Sequence, residues 1–289
     1  MNRLLFSLLL CFGLWQPNLK GQTSGADLKK TLETAYQSWR DAMMSGDAPA
    51  WAASITQYRQ VMVRNQIVSE RRNFPGAVFE IPIKPPALEG LRLLEAQAVG
   101  TTAHLVYFGP VDMGQDSEKI PDSILKLKFH FEGGAWKYDS NRFTSLDHVP
   151  EVRKSLQEGK KPDFLDTPEY TPPGSMPPPP ALCRVPDYKA GFKLQSFGYE
   201  TRLRMNGFDY DPVEDELDQQ IITGGLVKGQ NEITLTLKPV PPPEGQKAAM
   251  QIRIYKLGAD DDKPGTEMFR WEAPAGSAAL TVTLPFTVK

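Results

Sequence analysis

Residues 162–186 read P-D-F-L-D-T-P-E-Y-T-P-P-G-S-M-P-P-P-P-A-L-C-R-V-P. Nine of these 25 residues are proline, and Pro177 to Pro180 are consecutive. Proline has no backbone donor and a fixed φ, so the run joins neither a helix interior nor a central strand. It is expected to be extended and polyproline-like, a semi-rigid spacer. The chain before it patterns as helices followed by strands, and the chain after it as strands only. That change predicts an α+β protein in two parts: an α+β domain over 26–160, a proline-rich linker over 161–186 and an all-β sandwich over 187–289.

The composition is that of an ordinary globular chain, with 40% hydrophobic and 24% charged residues over 289 positions and a net charge of −2. Residues 22–161 carry 18 basic and 17 acidic groups, and residues 162–289 carry 13 and 18. Neither part has the basic excess that phosphate neutralisation needs, which excludes nucleic acid as an expected partner. At the start, Arg3 precedes an apolar run from Leu4 to Trp15. A run of about 12 residues is too short for a bilayer and right for a secretory signal. Residues 1–21 are therefore expected to be a signal peptide cleaved after Gly21. Cys11 lies inside that run behind Leu10, which does not fit a lipoprotein signal. The expected product is periplasmic, secreted or cell-surface, and not membrane-spanning. Its single remaining cysteine, Cys183, cannot form an internal disulfide and reads first as a chance cysteine, with a free thiol or an intermolecular bridge as the alternatives.

In the first part, Leu28, Leu32, Ala35, Tyr36, Trp39 and Met43 give a helical stripe over 27–45. Gly46 stops that helix, and Asp47 with Pro49 starts another that runs toward Arg72, with a break near Ile55–Tyr58. Strands are expected over 91–99, 103–108, 124–131 and 136–139, the last two joined at Glu132-Gly133-Gly134-Ala135. Leu125, Leu127, Phe129 and Phe131 share one face; Lys126, Lys128 and His130 share the other, expected to be solvated. A short helix over 149–156 leads into the prolines. In the second part, strands are expected over 192–195, 199–205, 221–222, 232–238, 249–257, 267–271 and 279–288, between glycine- and asparagine-rich turns.

Two resemblances attach to these patterns. An opening helix ending S-G-D-A-P-A-W (45–51), a second helix, then strands closing with F-E-G-G-A-W-K-Y-D (131–139) resembles the cone-shaped fold of nuclear transport factor two and ketosteroid isomerase. It implies helices on a curved antiparallel sheet enclosing an apolar pocket. The phrases T-R-L-R-M-N-G (201–207) and L-V-K-G-Q-N-E-I-T-L (226–235) are similar to a galactose-binding-like jelly roll, and an immunoglobulin-like sandwich fits nearly as well. Both phrases are structural: Asn206-Gly207 supports a hairpin, and Gly229 with Asn231 a turn.

Chemistry is sparsely supplied. Isomerase-like members of the cone family carry an acidic base after the second helix, whereas this chain has Asn73-Phe74-Pro75-Gly76-Ala77 there. His104, on a strand with no evident acid partner, is the one weak catalytic candidate; Arg64 or Glu70 would line a pocket with it. Tyr36, Trp39, Trp51, Phe129, Phe131 and Trp136 read first as core and second as a ligand pocket. Residues 208–218 hold six carboxylates in eleven positions. Asp209, Asp211, Glu214 and Asp215 are weak calcium candidates, but the D-x-D-x-D-G order is absent and a solvated acidic loop is expected. Asp260-Asp261-Asp262 reads as a hairpin tip. Phe208, Tyr210 and Trp271 are candidate ligand-binding aromatics. No nucleotide-binding, zinc-protease or serine-hydrolase motif occurs, and no cofactor or metal is expected. The expected function is a non-catalytic binding protein of the bacterial cell envelope with a protein or glycan partner. The alternatives are an enzyme of isomerase or hydrolase type in the first part, or glycan binding by the second.

Overall fold

The computed structural model describes residues 25–80, 84–114, 120–258, 265–274 and 276–289. The expected signal peptide (1–21), Cys11 and the Asp260–Asp262 turn lie outside the described residues. The protein combines helices with antiparallel sheets. Helix α1 (Gly25–Ser45) is followed by α2 (Ala48–Ser54) and α3 (Gln57–Ser69). The break between α2 and α3 falls at Ile55-Thr56. Thr56 accepts from Arg59 N and caps α3, and Asp47 accepts from Ala50 N and caps α2.

Four strands follow as an antiparallel meander: β1 (Arg92–Val99), β2 (Thr102–Pro110), β3 (Asp122–Glu132) and β4 (Ala135–Ser145). One face packs on α1 through Leu32, Tyr36, Leu105, Leu125, Leu127 and Phe129. The other face is covered as well. Val106, Phe108 and Ile124 pack there against Leu156 of helix α4 (Pro150–Gln157) and Leu165 of the proline-rich run. Strand β2 is consequently buried along almost its whole length.

That second layer corrects two expectations. The lysine face of β3 alternates as expected but is solvated only in part: Lys128 is exposed and His130 half-buried, whereas Lys126 is only 5% exposed. The cone with an open apolar pocket is not present either. The space between helices and sheet is filled by rings, Tyr36, Trp39 and Tyr138 stacking with centroids 4.0 to 5.5 Å apart. Of the expected aromatic set, Tyr36, Trp39, Trp51, Phe129 and Trp136 build or pack on this core, and Phe131 packs edge-on against Trp136 at 5.4 Å.

The proline-rich run is not a free spacer. Single 3-10 turns at Asp163–Asp166 and Pro168–Tyr170 need few backbone donors, so proline tolerates them. Gly174 O accepts from Thr101 N at 2.8 Å, and Gly174 N donates to Thr102 Oγ1 at 2.8 Å, so the run docks on the β1–β2 turn.

The second part is one seven-stranded sheet rather than two stacked sheets. Its spine is β5 (Ala190–Met205), a 16-residue strand where two short ones were expected. One edge of β5 pairs with β9 (Ala249–Lys256) over 190–197 and with β8 (Gly229–Pro239) over 199–205. The partner changes at Gly198, which has φ +72°, a conformation open to glycine. The other edge carries β6 (Phe208–Asp209) and β7 (Val213–Ile221). Strands β10 (Thr266–Glu272) and β11 (Leu280–Val288) extend the two arms beyond β9 and β8. The bent sheet folds over a common core of Phe192, Leu194, Leu203, Leu235, Ile252 and Ile254. It curls until Phe269 of β10 and Phe286 of β11 stack at 4.9 Å, nearly a barrel. The jelly-roll and immunoglobulin resemblances therefore do not hold, because a strand shared by both arms leaves no pair of separate sheets. The acidic stretch is a loop only at 210–212: residues 213–218 run as strand β7 along β5, with Glu214 and Glu216 exposed.

Candidate functional site

Helix α3 approaches the bent sheet through a polar seam. Asn65 and Ser69, one turn apart and buried, point away from the first core. Asn65 Nδ2 donates to Ala181 O at 2.8 Å, and its Oδ1 accepts from Cys183 N at 2.9 Å. Arg64 donates to Cys183 O at 3.0 Å, which occupies it structurally rather than in a pocket. Ser69 Oγ accepts from Gly224 N at 2.7 Å. The Cys183 thiol is buried here beside Asn65 O and Ser69 Oγ.

Beyond the seam, α3 and the sheet diverge to leave a cleft of about 540 Å³, within the range of small-ligand sites. Tyr58, Met62, Val63 and Gln66 form the helical wall. Phe208, Tyr210, Gln220 and Ile221 form the facing wall, with Asp209 and Asp211 at its rim. The sheet wall is held rigidly. Tyr210 packs its ring edge-on against Phe192 at 5.0 Å, and its hydroxyl accepts from Thr223 N at 2.8 Å. Burial pushes the Tyr210 phenol above its ordinary value, so it stays protonated. Met62 is 41% exposed, an apolar side chain presented to the opening.

Of the expected binding aromatics, the structure brings Phe208 and Tyr210 together in this cleft. Trp271 is elsewhere, on β10 opposite Ile252, packed on the core. The calcium candidates separate. Asp209 pairs with Arg204 at 3.1 Å, and Asp215 accepts from Gly198 N at 2.7 Å, bracing the bend in β5. Asp211 and Glu214 are exposed, and no group of three metal-ligating side chains occurs among the described residues.

A second cavity, about 420 Å³, lies between the outer face of the first sheet and the proline-rich run. It shares Tyr58 and Arg59 with the α3 cleft. His104, Lys126 and Lys128 line it from the sheet, Ser140 and Asp139 from β4, and Pro168 to Pro177 from above. His104 does have an acid partner: Glu95 Oε2 is 3.0 Å from its Nε2. The sequence hides this pair because nine residues and a turn separate its members. The register running from the turn, Val99 opposite Thr102, Gln97 opposite His104 and Glu95 opposite Val106, brings them to one face. Burial, against the opposing pull of Glu95, lowers the His104 pKa from its ordinary 6.5, so the ring is neutral at pH 7. Asp139 is buried but satisfied, accepting from Thr56 Oγ1 and Ser140 Oγ at 2.8 and 2.7 Å with Arg59 at 3.5 Å. Glu70 faces Arg72 and lines neither cavity.

No protein-family model, curated protein or solved structure matches the chain. No helix among the described residues is long and apolar enough to cross a membrane.

Proposed function

We propose that this is an exported, non-catalytic binding protein of the cell envelope whose partner occupies the cleft between α3 and residues 208–223. The carrying observation is that opposed walls of mixed apolar and amide character, Met62 and Gln66 against Phe208 and Gln220, meet in one cleft pinned by the Asn65–Cys183 and Ser69–Gly224 bonds. Preorganised walls lower the ordering cost of binding. The cationic start and short apolar run of residues 1–21 support export. A protein segment or a glycan would fit such a surface. The test is capture from an envelope extract by the full chain, by Met62→Arg and by Met44→Arg. Met44 is a comparably exposed methionine on α1 that lines neither cavity. A partner retained by wild type and Met44→Arg and lost by Met62→Arg is expected; equal retention by all three, or none, removes the reading. Protease and glycosidase treatment of the captured material distinguishes protein from glycan.

The His104–Glu95 contact favours a second reading, an enzyme working in the strap-side cavity. A histidine oriented by a carboxylate is the usual form of a general base. Turnover lost in a folded His104→Gln variant would support it, and a chain inert across hydrolase and isomerase substrates would not.

A further inference from the structure

We propose that the strap-side cavity is a binding site for an oxyanion, the carboxylate or phosphate group of a small ligand. The cavity holds more positive charge than its own carboxylates can satisfy. Arg59, Lys126 and Lys128 line it together with Asp139 and Glu169. Each of these carboxylates is already taken by an arginine, Asp139 by Arg59 at 3.5 Å and Glu169 by Arg142 at 2.6 Å. The two lysines are left over, and neither forms an ion pair among the described residues.

Lys126 is the unusual member. It lies mid-strand, is almost wholly buried, and has a carboxylate-free contact set: Nζ donates to Glu169 O at 2.5 Å and sits 4.6 Å from the centre of the Tyr170 ring. An ammonium has three donors, so these contacts leave one unmet. Burial first and Lys128 second lower its pKa below the ordinary lysine value, against a smaller opposing pull from Glu169. A buried cation with no carboxylate in direct contact is costly, and an arriving oxyanion would supply a closer counter-charge. Lys128 supplies the second cation: it stands directly across the strand pair from His104 and, on its other side, from Ser140. Thr102 and Ser140 already donate to Val99 O and Asp139, and His104 is bonded to Glu95, so the two lysines carry the recognition. Charge-assisted bonds from a lysine to an oxyanion are among the stronger hydrogen bonds. The proline-rich run covers part of the cavity on the side of buried Lys126, while Lys128 stays exposed at its opening.

This inference does not rest on a partner in the α3 cleft, nor on turnover at His104. The probes are sodium phosphate and sodium succinate, titrated separately into the isotopically labelled full chain at constant ionic strength, with amide shifts read at Thr102, His104 and Ser140. Saturable shifts at these positions are expected with at least one probe, and the stronger probe identifies the group as phosphate or carboxylate. Lys126→Met should weaken binding about tenfold or more, and Lys128→Gln about threefold or more. Lys137→Gln, whose lysine pairs with Glu132 and lines neither cavity, should leave affinity unchanged. Absence of saturable shifts in wild type with both probes overturns the proposal. So does unchanged affinity in Lys128→Gln, which decides the matter if Lys126→Met does not fold.

Discussion

Replacing Asn65 by alanine should loosen the joint between α3 and the second sheet. Asn65 is 3% exposed, and its amide holds three groups: Ala181 O at 2.8 Å, Cys183 N at 2.9 Å and Arg64 Nη1 at 3.2 Å. Cys183 is equally buried, so its N–H would lose its acceptor with no water to replace it, costing about 1–3 kcal/mol. Losing the donor to Ala181 O adds about 0.5–1.5 kcal/mol. The expected total is about 1.5–4.5 kcal/mol, with a fall in Tm of about 2 °C per kcal/mol for a chain of this size. Urea unfolding followed by tryptophan fluorescence measures it, because Trp39, Trp51 and Trp136 report on the first core and Trp271 on the second. Asn65→Ala should also expose residues 175–182 to limited proteolysis. A stability within about 0.5 kcal/mol of wild type would show that the seam is not what joins α3 to the sheet.

Three further outcomes follow from the same geometry. Gly198→Ala should cost about 2–3 kcal/mol, since residue 198 has φ +72° and a Cβ there would lie 2.8 Å from that of Ala248; an unchanged melting curve would remove the bend from the account. The Cys183 thiol should react with a disulfide reagent about 100-fold slower in the native protein than in urea, local opening being required first; equal rates would show that the joint is open in solution. His104 gives the pH dependence. Burial lowers its folded pKa beneath 6.5, against Glu95 and with Lys126 and Lys128, so the unfolded chain binds more protons in that range. The stability owed to neutral His104 is therefore present above pH 6.5 and lost as pH falls through the folded value. Thermal melts from pH 7.5 to 5 should show this slope in wild type and a shallower one in His104→Gln; identical slopes would refute it.

The sequence was most legible where one local rule acted alone. The stripe from Leu28 to Met43 and the start at Asp47 with Pro49 placed the first two helices, and the alternation from Leu125 to Phe131 placed β3. It was least legible where a distant segment altered a local preference. Lys126 sits on a face that alternation marks as solvated, and only the return of residues 162–174 over the sheet buries it. The prolines suggested a spacer because they lack donors, yet docking needs only a few carbonyls and one glycine N–H. The carboxylates of 213–218 resembled a loop because charge disfavours strands, but pairing with β5 outweighed that preference. The expected cone failed because element order constrains how helices and strands follow one another, not whether the space between them is filled. Phe208 and Tyr210 were the part of the cleft legible in the sequence, whereas Asn65 and Ser69, two polar residues on a helix that also carries three glutamines and two arginines, gave no sign of the seam.

Site-specific photocrosslinking tests the central claim most directly. A benzophenone side chain placed at position 62, in the mouth of the α3 cleft, should give a discrete adduct when the full chain is activated in the cells that produce it, and the same group at position 44 should give none. An adduct formed equally from both positions, or from neither, would contradict the assignment of that cleft as the binding surface.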